Sequence, residues 1–443
     1  MKFETVKTFI LIILIGTSLL LTFALWTYQP NNKPLNSDEL VNEVNIGGME
    51  ERRNTMVQPN AIVFHYYDEY YGFEDPASQH ELFSEMQSWE MDSFEVDEAD
   101  SDRTPEDYEV ELLFPEDIPM EMVTLIFSTG ENSEDMPSWS FNRMYVTFDQ
   151  SSQVLEVTIP SIDERSEARA VITNNDHYNE LFSHLTTQGE LAELLVINEA
   201  ENPVYFPKEI DPLTRHSLSV IHTSADMLVN ALFSRPSIVS RTGSPNMNSG
   251  GVYFTDGFRE LTVDPGDTAM EFFNPAASEY PRMGMAQLMR TSIQHVNDHM
   301  GWTGEYNLQE MDQARNQITY QMYYEGYPVF NNFQMTNIVQ EWRDQSSLYR
   351  YERPLFRLNN SIGTEEMEIL SGEGLYNFLL DEEESDYNLE DITDIRIGYD
   401  LTYHDPDLND YVTLEPSWFM EYNNSWQKIQ FKTNDDSPIQ GGS

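Results

Sequence analysis

The chain has 443 residues with 24 Lys and Arg against 77 Asp and Glu, a formal net charge of −53. An acidic surface of this size excludes a nucleic-acid binder and disfavours anionic lipid surfaces, since both are held by clustered cations and like charges repel over about 10 Å of screened solvent. The absence of cysteine excludes disulfide frameworks, thiolate metal centres, cysteine nucleophiles and iron–sulfur clusters, while 12% aromatic residues are too many for a solvated tail.

Residues Phe9 to Trp26 run without a charge, about 27 Å as a helix and close to the thickness of a bilayer core. Lys2 and Lys7 precede this run, and Trp26 and Tyr28 follow it at interfacial depth. The pattern predicts a single spanning helix with its amino terminus in the cytoplasm and the bulk of the chain outside the cell membrane. A cleaved signal peptide is the weaker reading, because the apolar run is too long and Phe23-Ala24-Leu25-Trp26 is a poor cleavage site. Within the span, Ser18 and Thr22 share a helix face with Leu11, Ile15 and Leu25, the kind of small and hydroxylated face that lets helices approach closely in lipid. A lone anchor also tolerates such residues.

Residues 1–28 are therefore expected to be stub and anchor, and residues 29–50, rich in Pro, Asn and Gly, a linker. Beyond them the pattern predicts three extracytoplasmic α+β domains with mainly antiparallel sheets, at 51–208, 209–303 and 304–443. In the first, AIVFHYYDEYYGF reads as a strand, DPASQHELFSEMQSW as a helix capped by Asp75 or Ser78, and EVELLF, MVTLIF, MYVTF and VLEVTI as strands. HYNELFSHLTT is helical, and ELLVIN and PVYF are strands. The second has helices at SADMLVNALFS and GMAQLMRTSIQHVNDHM around GVYFTDGFRELTV and TAMEFF. In GVYFTDGFRELTV, Asp256-Gly257 marks a hairpin turn. The third holds strands at ITYQMYYEGYPVF, LYRYERPLFRL, ITDIRIGYDLTY and YVTLEPSWFMEY, with a helix at EGLYNFLLDEE. Pro328 and Pro416 are expected at strand edges, and Trp418 and Tyr399 in the core.

Catalytic motifs find no support. His295 and His299 lie four apart on a helix, as in zinc proteases, but Val296 occupies the position of the general base and no third ligand follows by spacing. Asp100, Asp102, Thr104 and Glu111 fall at calcium-loop positions, yet Pro105 stands where a glycine turn is required. Ser425-Trp426-Gln427-Lys428 fits S-x-x-K without its companion motifs, Gly372-Glu373-Gly374 is a loop or helix start, and no nucleophile elbow or phosphate loop is present. No catalytic residue, cofactor or metal is expected.

The anchor VKTFILIILIGTSLLLTFALWTYQP resembles the amino-terminal span of the YycH proteins. The resemblance continues through Tyr253-Phe254-Thr255-Asp256-Gly257-Phe258-Arg259, Phe272-Phe273-Asn274-Pro275 and Gly326-Tyr327-Pro328-Val329-Phe330 to Leu414-Glu415-Pro416-Ser417-Trp418. It implies a non-catalytic, membrane-tethered regulator that works with a YycI-type partner on the WalK (YycG) cell-wall sensor histidine kinase. It also implies a YycI-like carboxy-terminal domain, and a spanning helix that contacts the kinase within the membrane. The alternative is a membrane-anchored cell-wall binding module or cryptic wall hydrolase, with Trp418, Tyr399 and Tyr403 lining a groove.

Overall fold

The computed structural model describes residues 44–99, 106–130, 136–187, 189–198, 202–243, 251–275, 281–331, 335–381, 385–404 and 410–431. The expected span at 9–26, with Leu11, Ile15, Ser18, Thr22 and Leu25, lies outside them, as does the Asp100–Pro105 part of the calcium-like loop. Among the described residues no helix is long and apolar enough to cross a membrane.

The architecture is α+β, built on two sheets that are antiparallel at nearly every pairing. The first sheet holds β1 (Ala61–Tyr66), β2 (Glu69–Phe73), β3 (Glu90–Glu98), β4 (Tyr108–Pro119), β5 (Ser128–Thr129), β6 (Ser140–Asp149), β7 (Val154–Pro160), β8 (Ser166–Ile172), β9 (Leu191–Ile197) and β10 (Val204–Pro207). Their spatial order is β10-β9-β2-β1-β4-β6-β7-β8-β3-β5. AIVFHYYDEYYGF is thus a hairpin rather than one strand, turning at Tyr67-Asp68 with Tyr67 at φ 55°. Asp75 caps the helix Pro76–Met86 by accepting from the Ala77 N–H at 2.9 Å.

The run MVTLIF, expected as a strand, is instead a 3-10 turn at Met120–Met122 followed by one helical turn, Val123–Ile126. Six residues, apolar at all but Thr124, are too short a run to show a period that separates strand from helix; Met120, Met122, Val123 and Ile126 are in the core while Thr124 is exposed.

The second sheet holds β11 (Leu213–His222), β12 (Ser240–Gly243), β13 (Val252–Thr255), β14 (Glu260–Val263), β15 (Ala269–Phe273), β16 (Glu305–Asp312) and β17 (Gln317–Tyr324). It continues with β18 (Tyr327–Phe330), β19 (Asn337–Asp344), β20 (Ser347–Pro354), β21 (Phe356–Met367), β22 (Ile392–His404), β23 (Tyr411–Tyr422) and β24 (Ser425–Lys428). Its path is β12-β13-β14-β15-β20-β19-β17-β18-β22-β23-β11-β21, with β16 on β17 and β24 on β23. One sheet therefore runs through residues on both sides of position 304, joined where β15 pairs with β20.

Pro416 sits on β23 between the part that pairs with β11 (through Leu414) and the part that pairs with β24 (from Phe419), a gap on one side of the strand where a missing N–H is tolerated. Pro328 is not at an edge: β18 lies between β17 and β22. It faces Tyr323 of the β17 hairpin, and the parallel ladder with β22 begins one residue later, at Val329.

The helices Pro76–Met86 and Asn175–Thr187 bury Leu82, Phe83, Met86, Tyr178, Leu181 and Leu185 against one face of the first sheet. A second cluster joins the two sheets. Ile197, Val204 and Phe206 of the first pack with Leu375, Phe378, Ile395 and Trp418, the helix Gly372–Leu380 being capped by Ser371.

Candidate functional site

Strand alternation on β4 sends Val110, Leu112 and Phe114 toward the helices and Glu109 and Glu111 to the other face. That face is buried as well, with Glu109 and Glu111 both closed off from solvent. Glu111 is 1% exposed and is held by three groups: His65 Nε2 at 3.0 Å, the Tyr205 hydroxyl at 3.0 Å and the Arg143 guanidinium. Burial by itself would raise the Glu111 carboxyl, but the hydrogen bond from His65 and the charge of Arg143 outweigh it and hold the group below the usual carboxylate range. Arg143 also bonds the Asn202 amide oxygen at 2.8 Å and the Pro203 carbonyl at 2.9 Å, tying β6 to the approach of β10. This network is structural, a buried charge with each partner supplied by a different strand. It also shows that Glu111, the twelfth position of the calcium-like pattern, is committed elsewhere.

The histidine pair on the helix Met285–Asn297 and its end faces aromatic rings. His295 lies between Trp342 and Tyr351, at centroid distances of 5.3 and 5.2 Å, and His299 accepts from or donates to the Tyr351 hydroxyl at 3.0 Å. Burial and the nearby Arg353 lower His295 to about 4 and push His299 down as well, so both imidazoles are neutral. Among the described residues no group of three or more His, Asp and Glu is arranged to hold a metal ion. Trp418 is 2% exposed and donates its indole N–H to the Leu370 carbonyl at 2.7 Å, and Tyr399 is packed among His216, Tyr324 and Tyr327. Neither ring is open to a glycan. Tyr403 is partly buried against Phe356, with its hydroxyl 3.1 Å from His222 Nε2.

Two of the clefts among the described residues lie along the second sheet. One, of about 340 Å³, is lined by His222, Ser224, Arg241, Phe254 and Asp410. His222 Nε2 faces both Asp410 (2.9 Å) and Tyr403, while the Ser224 oxygen accepts from the Asp226 N–H and caps the helix Ala225–Leu232. The serine and histidine are thus occupied separately and form no nucleophile–base pair.

The second cleft, of about 580 Å³, is built where the helix Met285–Asn297, the β13–β14 turn, β15 and the β19–β20 turn meet. The turn is the expected Asp256-Gly257 hairpin, with Gly257 at φ 94°. The Asp256 carboxylate accepts from the N–H groups of Phe258 and Arg259 and pairs with the Arg259 guanidinium at 3.3 Å. Arg259 in turn donates to the Leu232 carbonyl. Asn274 donates to the Leu348 carbonyl at 3.2 Å. The segments Tyr253–Arg259 and Phe272–Pro275, separate in sequence, therefore meet at one wall of this cleft, a placement invisible to sequence spacing.

Residues 4–188 match the YycH protein N-terminal domain family and residues 201–436 the YycH protein C-terminal domain family. The chain belongs to the YycH family. It is 25% identical over 455 aligned positions to the "Two-component system WalR/WalK regulatory protein YycH" of Bacillus subtilis (strain 168), covering 96% of this chain and 95% of that one. The YycH fold is shared with the crystal structure of YycH from Bacillus subtilis, at a TM-score of 0.68 and 19% identity, covering 87% of this chain and 99% of that one.

Proposed function

We propose that this YycH chain is a non-catalytic regulator of a WalK-type sensor histidine kinase, working with a YycI-type partner. The observation that carries the reading is the end-to-end alignment with the Bacillus subtilis regulatory protein, in which 96% of this chain is matched. In this reading residues 9–26 anchor the chain in the cell membrane with the two sheets outside, and the face formed by Leu11, Ile15, Ser18, Thr22 and Leu25 packs on a kinase helix. A single span with a large exterior part biases a kinase only through differential contacts with its two signalling states, made in the bilayer or by the ectodomain. Packing in the bilayer suits so acidic a chain, because ectodomain contact with another acidic surface requires salt screening.

The test replaces residues 9–26 with an unrelated spanning helix and leaves the exterior intact. Loss of kinase association and of its effect on output supports regulation through the span. Survival of both moves the contact to the ectodomain, and failure of the native chain to associate with the kinase removes the reading altogether.

A further inference from the structure

We propose that the 580 Å³ cleft beside the helix Met285–Asn297 binds a small amphipathic anion, a carboxylate or phosphate carried on an apolar body. The chain has more than three acids for every cation, yet the ionised groups lining this cleft are three guanidiniums, Arg53, Arg259 and Arg290, against one carboxylate, Asp298. With Arg259 neutralised by Asp256, the excess rests on Arg53 and Arg290 against Asp298, and the local sign of charge is still reversed relative to the chain as a whole. Arg259 is held in place by Asp256 and the Leu232 carbonyl. Among the described residues Arg53 and Arg290 have no ion pair, and both side chains are exposed, so a ligand anion breaks no existing pair to engage them. Asp298 is bonded by the Gln294 amide at 2.8 Å.

The chemistry of the occupant follows from the two parts of the wall. Planar guanidinium forks match the paired oxygens of carboxylate and phosphate, and do so better than an ammonium would. The apolar part is Leu232, Phe272, Trp342 and Leu348, each less than a tenth exposed and therefore fixed by the core behind it. The cleft thus has an apolar floor beneath a mostly polar rim, in a volume within the range of small-molecule sites. The inference does not rest on the kinase reading, since any YycH chain with this cleft would carry the site whatever it regulates.

The test is calorimetric titration of the full chain in a non-ionic detergent with phenyl phosphate, phenylacetate, inorganic phosphate and benzyl alcohol. Saturable one-to-one binding is expected for phenyl phosphate, phenylacetate or both, tighter than for inorganic phosphate (which lacks the apolar body) or benzyl alcohol (which lacks the charge). The two organic arms decide between phosphate and carboxylate. Binding should weaken by about tenfold or more in the double variant R53Q/R290Q, recover partly in R53K/R290K, and fall with added salt. Thermal unfolding of the double variant should match the native chain, because both side chains are exposed. No saturation with either organic anion, or equal binding by R53Q/R290Q, overturns the proposal.

Discussion

His65 Nε2 and Glu111 Oε2 stand 3.0 Å apart between β1 and β4, on a buried face of the first sheet. Substitution Glu111→Ala leaves the half-buried Arg143 without its carboxylate, and the buried His65 and the Tyr205 hydroxyl without their shared partner, which costs about 3 kcal/mol. Chemical denaturation of the variant should show the loss. The pH dependence has a definite sign: the folded carboxyl is depressed, so its contribution is complete above the ordinary carboxylate range and is lost as pH falls below it. Native protein should lose stability on that acid limb more steeply than Glu111→Gln.

Glu116 behaves in the opposite way. Burial pushes its carboxyl up to about 7; the Asp117 backbone opposes this, and the charges of Asp117, Glu310 and Glu421 add to it. The folded state therefore holds a proton that the unfolded chain releases nearer pH 4.5, and stability falls as pH rises from there to about 7. Glu116→Gln should remove that slope and stabilise the protein at pH 8 by about 1 kcal/mol once solvent screening is discounted. Urea midpoints across pH 5–8 for both proteins measure it.

His295, lowered to about 4 by burial and Arg353, acts on the acid side. The unfolded chain takes up a proton near pH 6.5 that the folded chain refuses, so stability drops as pH falls from 6.5 toward 4. Substitution His295→Asn, whose amide can replace the contact between Nδ1 and Gln340, should flatten this decline. An unchanged decline would mean that His295 does not carry it.

Gly372 marks the close approach of the helix Gly372–Leu380 to the first sheet. A Cβ there would stand 1.7 Å from the Pro207 carbonyl oxygen, backbone that has no rotamer to yield. Gly372→Ala should therefore lower the thermal midpoint by several degrees, through a cost of at least about 1–3 kcal/mol, whereas an alanine elsewhere at a helix start would be neutral or stabilising.

The helices were legible because their signals are local. Asp75 before Pro76 announces the start of one of them and is used as its cap, while Ser224, which opens SADMLVNALFS, and Ser371, two residues ahead of EGLYNFLLDEE, cap two more. The hairpin at Asp256-Gly257 was legible for the same reason. MVTLIF was not, since six residues that are apolar except for the exposed Thr124 are too few to show a helical period. The network around Glu111 left one trace, two glutamates alternating with apolar residues in EVELLF. Its partners are 46 residues away at His65 and 94 at Tyr205, and only strand pairing brings them in. The arginine cleft left none, because Arg53, Arg259 and Arg290 belong to segments that meet only through the second sheet and the helix beside it.

Regulation of a kinase is measured most directly by autophosphorylation of a WalK-type kinase reconstituted in liposomes with and without the full chain, and with a YycI-type partner. The account predicts a change in kinase rate that depends on the amount of chain present and disappears when residues 9–26 are exchanged. A rate that is the same at every ratio of chain to kinase, with both proteins shown to be in the same bilayer, would contradict it.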